Sequence, residues 1–135
     1  MAVRSVLFVC THNAGRSQMA AGYLTHLSGG AVEVSSAGTA PADALNPAVV
    51  AAMLEEAIDL RDEEPQAVSV EALHEADLVI SLGADLRGLG AELSYSEWDL
   101  PESTGLRLEA IRPIRDAIKA RVLALLRELN ASVAA

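Results

Sequence analysis

Apolar residues follow two patterns along the chain, and each pattern predicts one kind of element. A run of Val, Leu and Phe over residues 3–10 is typical of the central strand of a parallel sheet, because both faces of such a strand are buried. Residues 32–35 and 77–82 indicate a second and a third strand, and residues 93–98 indicate a weaker fourth. The chain therefore predicts four strands, with the first one buried in the sheet.

Apolar residues at helical spacing fill the segments between these strands. After residues 11–15 they recur every three or four positions until a glycine pair, which predicts a first helix. Asn46 and Pro47 predict the start of a second helix that runs to about residue 57, because Asn caps helices and Pro fits the first helical position. A short helical stretch is expected over residues 70–74.

The last part of the chain predicts one long amphipathic helix. Its apolar residues form a single stripe at spacings of three and four, which comprises Ile111, Ile114, Ile118, Val122, Leu125 and Leu129. Proline is tolerated only in the first turn of a helix, so we expect the regular helix to begin shortly before Pro113 or to be kinked there.

Alternation of strands and helices with short connections predicts an α/β fold. We expect a three-layer sandwich, in which helices cover both faces of a central four-stranded parallel sheet, and a single domain over residues 1–135. Ligands of such sheets bind beyond the carboxyl ends of the strands. Cys10 lies at that end of the first strand, so the loop that follows it is the expected ligand site.

Charge and composition exclude several classes of function. Ten Lys and Arg against 19 Asp and Glu give a net charge of −9, which disfavours nucleic acid and anionic lipid as partners. No apolar run near the start approaches the roughly 20 residues of a membrane span, and no signal peptide is evident, so we expect a cytoplasmic monomer or weak dimer. One cysteine permits no internal disulfide, and His12, His26 and His74 lack ligand spacing, so no metal site is expected.

The loop between the first strand and the first helix carries the candidate chemistry. Backbone N–H groups curled between a strand end and a helix start can hold an anion, and the positive end of the helix dipole strengthens that hold. A tetrahedral oxyanion fits such a loop. The expected binding residues are Thr11, His12, Asn13, Ala14, Gly15, Arg16 and Ser17, of which Thr11 and His12 act through their amides.

Side chains of this loop suit a nucleophilic cysteine. The planar guanidinium of Arg16 can bind two oxygens of the anion, and the surrounding positive charge favours a thiolate at Cys10. Ser17 can donate a hydrogen bond to the sulfur. Asn13 can adopt a left-handed backbone conformation, and Gly15 permits close approach of the ligand. A buried cysteine is often only a small hydrophobic residue, but its position between strand and helix favours the oxyanion site.

These segments resemble the low molecular weight tyrosine phosphatase family, over nearly the whole chain. The similar residues are Val6-Leu7-Phe8-Val9-Cys10, Arg16-Ser17-Gln18-Met19-Ala20 and Ser36-Ala37-Gly38-Thr39. The second segment is similar to the arsenate reductase branch, whereas the phosphatases usually carry proline in place of Gln18. The resemblance implies the phosphatase-like fold, with Cys10 as nucleophile and Arg16 as a catalytic and binding residue.

The resemblance also implies a general acid late in the chain. Trp98-Asp99-Leu100-Pro101 and Arg112-Pro113-Ile114-Arg115-Asp116 resemble the acid loop and final helix of the reductases, and the Asp-Pro-Tyr loop of the phosphatases is missing. Asp99 is therefore the expected proton donor to the departing oxygen. Asp85 is another loop carboxylate that could face the site, and Trp98 could either wall the site or belong to the core.

Two departures from the reductases concern electrons and metal. The thioredoxin-coupled members carry two further cysteines, the first near residues 82–85, where this chain has none. The single-cysteine members that it resembles use mycothiol with mycoredoxin as external thiol, and glutathione is the alternative. Those thioredoxin-coupled reductases also bind potassium through a glutamate of the first helix, but this chain has Met-Ala-Ala-Gly at 19–22. We expect neither a bound metal nor a tightly bound cofactor.

Three functions are therefore in view. The first is an arsenate reductase of the arsenate–mycothiol transferase type, in which Cys10 attacks arsenate and an external thiol carries the arsenic on towards arsenite. The second is a tyrosine phosphatase that forms a phosphocysteine and uses Asp99 to activate water. Only 3% of residues are aromatic, which leaves few rings for a phosphotyrosine slot. The third is a non-catalytic oxyanion-binding module.

Overall fold

Strands and helices alternate along the chain as the apolar pattern predicts. The structure is a computed structural model that describes residues 3–89 and 94–134. Its elements in chain order are β1 (Ser5–Cys10), α1 (Arg16–Ser28), β2 (Glu33–Gly38), α2 (Pro47–Leu54), α3 (Val70–Glu75), β3 (Leu78–Ser81), β4 (Ser96–Glu97) and α4 (Leu108–Ala134).

The strands form one parallel sheet in the order β2-β1-β3-β4. β1 lies inside the sheet and pairs with β2 and β3, and its residues from Val6 to Cys10 are buried. A run that is apolar on both faces is what such a strand requires. The predicted α/β class with a four-stranded parallel sheet is confirmed.

The two faces of the sheet are covered by different elements. Val6 and Phe8 of β1 pack into a core with buried residues of α1, α2 and α4, and the ring of Phe8 lies 5.6 Å from that of Trp98 between centroids. Leu7 and Val9 face the other way, towards Leu73 of α3 and the loop after β3. The helices thus form layers on both sides of the sheet, and Trp98 belongs to the core.

Several element boundaries differ from the predicted ones. β2 continues to Gly38 because it pairs with β1 as far as Cys10. α2 ends at Leu54, and the chain turns at Ala57, whose φ is 61°. β4 covers only Ser96–Glu97, and the start of the predicted fourth strand, at residue 93, lies outside the described residues.

The start of α4 places Pro113 inside the helix rather than in its first turn. The helix begins at Leu108, and Pro113 lies in its second turn on an exposed position. Proline cannot donate to the carbonyl of Glu109 one turn earlier, but this side of the helix faces water, which can satisfy that carbonyl. All six residues of the predicted apolar stripe are buried.

An ion pair joins the end of α2 to α4. Glu55 accepts hydrogen bonds from Arg112 at 2.6 Å and from Arg115 at 2.6 Å, and Arg115 also donates to the carbonyl of Ala52. The hydrogen bond from Arg112 and then that from Arg115 lower the pKa of Glu55 from 4.5 to about 2. The charged form of Glu55 is therefore favoured by folding.

This pairing predicts a pH-dependent loss of stability in Glu55→Gln. Since the folded state lowers the pKa, the stabilisation is fully present above pH 4.5 and is lost as the pH falls towards about 2. Thermal unfolding should show a lower Tm for the variant at pH 7 and a smaller difference from the wild type at pH 3. Glu128→Gln, the same change on an exposed position of α4, is the control. A difference in Tm that does not depend on pH would contradict this account.

Candidate active site

The loop at residues 11–15 is held by the chain that follows β2. The carbonyls of Cys10, Thr11, His12 and Ala14 accept hydrogen bonds from amides between residues 39 and 46, at 2.8–3.1 Å. In a planar trans peptide the N–H points opposite to the C=O, so the next amides are turned towards the inside of the loop. The loop therefore presents donors to the space above Cys10, as an anion site requires.

Gly38 lets the two segments approach this closely. A Cβ at Gly38 would lie 2.7 Å from the carbonyl oxygen of Thr11 and 3.0 Å from the Cβ of Asn13. Real Cβ atoms do not approach backbone oxygen so closely, so a larger residue would push the loop away from β2. The role of the segment at residues 36–39 in this structure is thus to let the anion loop pack closely against the end of β2.

Cys10 lies at the floor of the site with two hydrogen-bond partners. Its side chain is buried, and Sγ lies 2.9 Å from the hydroxyl of Ser17 and 3.2 Å from the backbone N–H of Asn13. Asn13 has a φ of 51°, the left-handed conformation that turns its amide back towards the sulfur. The N–H of Asn13 donates to the sulfur, and the Ser17 hydroxyl, its other partner, is able to donate as well.

Arg16 begins α1 and is only 5% exposed. Its guanidinium donates to the carbonyl of Leu100 at 3.3 Å and to the carboxylate of Glu102 at 3.0 Å. It also lies against Gly83, whose φ of 91° and lack of a side chain leave room for it. The cation is therefore held between the anion loop and the loop after β4, with one carboxylate as its partner.

A cavity of about 360 Å³ opens above Cys10. Besides residues of the anion loop, it is lined by Ala42, Ala44, Leu45, Asn46, Pro47 and the segment 102–105. His12 supplies the only aromatic ring among these lining residues. The cavity thus combines a polar floor with small aliphatic walls.

Asp99 is not among the residues that line this cavity. It is exposed and lines a separate cavity together with Asp85, Arg87 and Trp98. Asp85 pairs there with Arg87 at 3.0 Å. The structure therefore brings together Cys10, the loop residues and Arg16, but leaves both predicted carboxylates outside the space above Cys10.

Glu102 is the carboxylate that lines the Cys10 cavity, and the sequence reasoning missed it. It accepts hydrogen bonds from the amide of Ser103 at 3.0 Å and from the hydroxyl of Thr104 at 2.9 Å. The Thr104 hydroxyl in turn lies 3.2 Å from Nδ1 of His12. The signal was available, since Glu102 follows Pro101 in the loop that was singled out for Asp99.

Opposing effects act on the pKa of Glu102. Partial burial raises it, but the hydrogen bond from Thr104, the charge of Arg16 and the amides of Ser103 and Thr104 together lower it below its usual value. The group is therefore a carboxylate at neutral pH when Arg16 has no other partner. Glu102 accepts a hydrogen bond from the Arg16 guanidinium, which the sequence predicts to bind an oxyanion.

Among residues 3–89 and 94–134, no group of three His, Cys, Asp or Glu side chains could hold a metal ion. Within the same residues, no helix has the length and apolar character to cross a membrane.

Comparison with known proteins agrees with this architecture. The sequence profile of the low molecular weight phosphotyrosine protein phosphatase family matches residues 5–135. The chain therefore belongs to this family, and the resemblance inferred from its motifs is confirmed at that level.

Several proteins to which the chain is similar are named arsenate reductases. A putative arsenate reductase of Halobacterium salinarum is 37% identical over 91% of each chain. A glutaredoxin arsenate reductase of Synechocystis is 30% identical over 95% of this chain and 100% of its own. The thioredoxin-dependent arsenate reductase of Corynebacterium glutamicum superposes with a TM-score of 0.82 at 32% identity, over 97% of this chain and 64% of that longer chain.

The contact between Arg16 and Glu102 predicts that removing the carboxylate strengthens anion binding. In Glu102→Gln, an incoming oxyanion no longer competes with a carboxylate for the guanidinium, nor lies beside a like charge. An ion pair of this exposure is worth up to about 1 kcal/mol, so we expect up to about fivefold tighter binding of inorganic phosphate. Isothermal titration calorimetry at neutral pH measures it.

Two further variants complete this test. Glu97→Gln makes the same change of charge at the other cavity and should leave phosphate affinity unaltered. Arg16→Ala should lose phosphate binding. Weaker binding in Glu102→Gln would show that the carboxylate helps to hold the anion rather than competing with it.

Proposed function

We propose that this protein reduces arsenate, with Cys10 as the nucleophile. The observation that carries the proposal is the combination in one cavity of the buried Cys10, the anion loop and Arg16. The sulfur of Cys10 accepts from the N–H of Asn13 and lies 2.9 Å from the Ser17 hydroxyl. These groups suit a small tetrahedral oxyanion, and the relatives named arsenate reductases support arsenate as that anion.

The first step forms a covalent bond between sulfur and arsenic. Loop amides and Arg16 hold arsenate, and the Cys10 thiolate attacks the arsenic. A bond between sulfur and arsenic forms, and a bond between arsenic and oxygen breaks. The departing oxygen takes up protons and leaves as water, so arsenic is still in its higher oxidation state in this adduct.

Reduction then needs two external thiols. The first attacks arsenic, which releases Cys10 and leaves an adduct of arsenic with that thiol. The second attacks the sulfur of this adduct, so that a disulfide forms and arsenite leaves with the two electrons. The chain has a single cysteine and supplies neither thiol. We propose mycothiol with mycoredoxin as this system, and glutathione as the alternative.

Two carboxylates are candidates for the proton donor. Asp99 follows from the resemblance, and Glu102 follows from its place on the Cys10 cavity. The position of Glu102 next to Arg16 favours it, since a proton donor must reach the oxygen that leaves. A dianion on Arg16 would also raise the pKa of Glu102, because the positive partner is then shared and a like charge is added.

The same groups could serve a phosphatase, and the family to which the chain belongs favours this second function. A phosphocysteine would form at Cys10, and water activated by Glu102 or Asp99 would hydrolyse it. Aliphatic and polar side chains line the cavity, and none of the residues that line it carries an indole or a phenol on which a phosphotyrosine ring could stack.

Arsenite formation by the purified protein tests the proposal. Arsenate is supplied with mycothiol and mycoredoxin, with glutathione and glutaredoxin, or with thioredoxin, and Cys10→Ser is the control in each case. We expect arsenite with the mycothiol system and none from the variant. Hydrolysis of an aryl phosphate through Cys10 without arsenite from any system would replace the reductase with the phosphatase. Phosphate binding without either reaction would indicate a binding module.

Turnover of two carboxylate variants identifies the proton donor. Loss of a general acid lowers the rate by about a hundredfold or more. We expect this loss of kcat in Glu102→Gln, together with unchanged or tighter arsenate binding, and a smaller change in Asp99→Asn. The opposite order would return the role to Asp99 and would require the loop after β4 to turn that side chain towards Cys10.

A further inference from the structure

Gln18 lies buried beneath the anion loop and is used by neither step of the proposed reaction. Its side chain is 4% exposed, and its Nε2 donates to Oδ1 of Asn13 at 3.1 Å and to the carbonyl of Glu64 at 3.3 Å. The backbone N–H of Gln66 donates to the same Oδ1 at 2.9 Å. The segment at residues 64–66 is thereby joined to the loop.

These contacts fix the orientation of the Asn13 amide. A backbone N–H can only donate, so the atom that faces Gln66 must be the oxygen of the amide. Nδ2 of Asn13 therefore faces the hydroxyl of Ser17, to which it donates at 2.6 Å. The second donor on Oδ1, from Gln18, holds the amide in this orientation.

The order of donors and acceptors set by the Asn13 amide continues through Ser17 to the sulfur of Cys10. Ser17 is fully buried and its hydroxyl has one proton. Since this hydroxyl already accepts from Asn13, its proton is free for the sulfur of Cys10, 2.9 Å away. If the Cys10 thiol donated to Ser17 instead, the Ser17 hydroxyl proton could no longer bind the sulfur. The series of hydrogen bonds that runs through Gln18, Asn13 and Ser17 therefore ends in a donor to the sulfur. Such a donor favours a thiolate.

We propose that Gln18 is a positioning residue for Cys10: by fixing the amide of Asn13, it directs the Ser17 proton to the sulfur and maintains the thiolate. This inference rests on the proposed role of Cys10 as nucleophile. The charged and titratable groups on the other sides of the cavity are Arg16, His12 and Glu102, and a change at Gln18 leaves them in place.

Alkylation of the single cysteine by iodoacetamide, measured against pH, tests the inference without arsenate. Gln18→Met keeps the length of the side chain and removes its donor. We expect the pH midpoint of alkylation to rise by about one unit, which is a rate about tenfold lower at a fixed pH below the midpoint. Gln66→Ala is the matched control, because Gln66 contributes its backbone groups, which the variant keeps, and its midpoint should equal that of the wild type.

A double mutant separates this role from a general loss of packing. Ser17→Ala should raise the midpoint at least as far as Gln18→Met does, and adding Gln18→Met to it should produce no further shift, because Gln18 acts through Ser17. If Gln18→Met fails to fold, Gln18→Asn keeps an amide, shortens the side chain and should raise the midpoint in the same direction.

The outcomes distinguish the inference from the proposed function. An unchanged midpoint in the folded Gln18 variant, or additive shifts in the double mutant, would overturn the role of Gln18 whatever reaction the protein catalyses. A raised midpoint in a protein that forms no arsenite would uphold the role of Gln18 and reject only the reductase.

Discussion

The site depends on the outward hydrogen bonds of the anion loop. Because β2 pairs with β1 as far as Cys10 and Gly38, the chain leaves the sheet beside the loop, and its amides bind the loop carbonyls. Each bond of this kind turns the next N–H inward. The anion site is thus a consequence of strand register, and the residues that hold its shape are mainly outside the loop itself.

A protein of net charge −9 can hold a dianion only through its local field. Charges more than about 8 Å away are screened at physiological salt, so the amides, the start of α1 and Arg16 decide whether the anion binds. Arg16 is nearly buried, and an unpaired buried charge is costly. Glu102 relieves that cost in the free protein by pairing with Arg16. The incoming anion must then compete with Glu102 for the guanidinium.

Local patterns predicted the parts of the fold that are local in origin. A doubly apolar strand, a loop ending in Arg16 and a helix closed by glycine required only the spacing of their own residues. The end of α2 could not be predicted, because it is set by the left-handed turn at Ala57 and the contacts of Glu55 with α4. Apolar residues continue past that turn, and periodicity cannot show where a chain reverses.

The proton donor illustrates the same limit within the site. Asp99 and Glu102 are three residues apart in one loop, and both satisfy the chemical requirement for a carboxylate. Only tertiary contacts separate them: the loop after β4 bends so that Glu102 meets Arg16 and Asp99 faces the other cavity. Sequence spacing also could not assign Gln18, since one of its two partners is the backbone carbonyl of Glu64, which any residue would provide.

Anion binding and the charge of Glu102, the proposed proton donor, are linked through Arg16. In the free protein its pKa is lowered, partly by the charge of Arg16, so the group begins the cycle as a carboxylate. An oxyanion that takes over Arg16 removes part of that stabilisation and adds a negative charge, and both changes favour a protonated Glu102. The proposed proton donor therefore loses part of its charge stabilisation only when an anion occupies the loop.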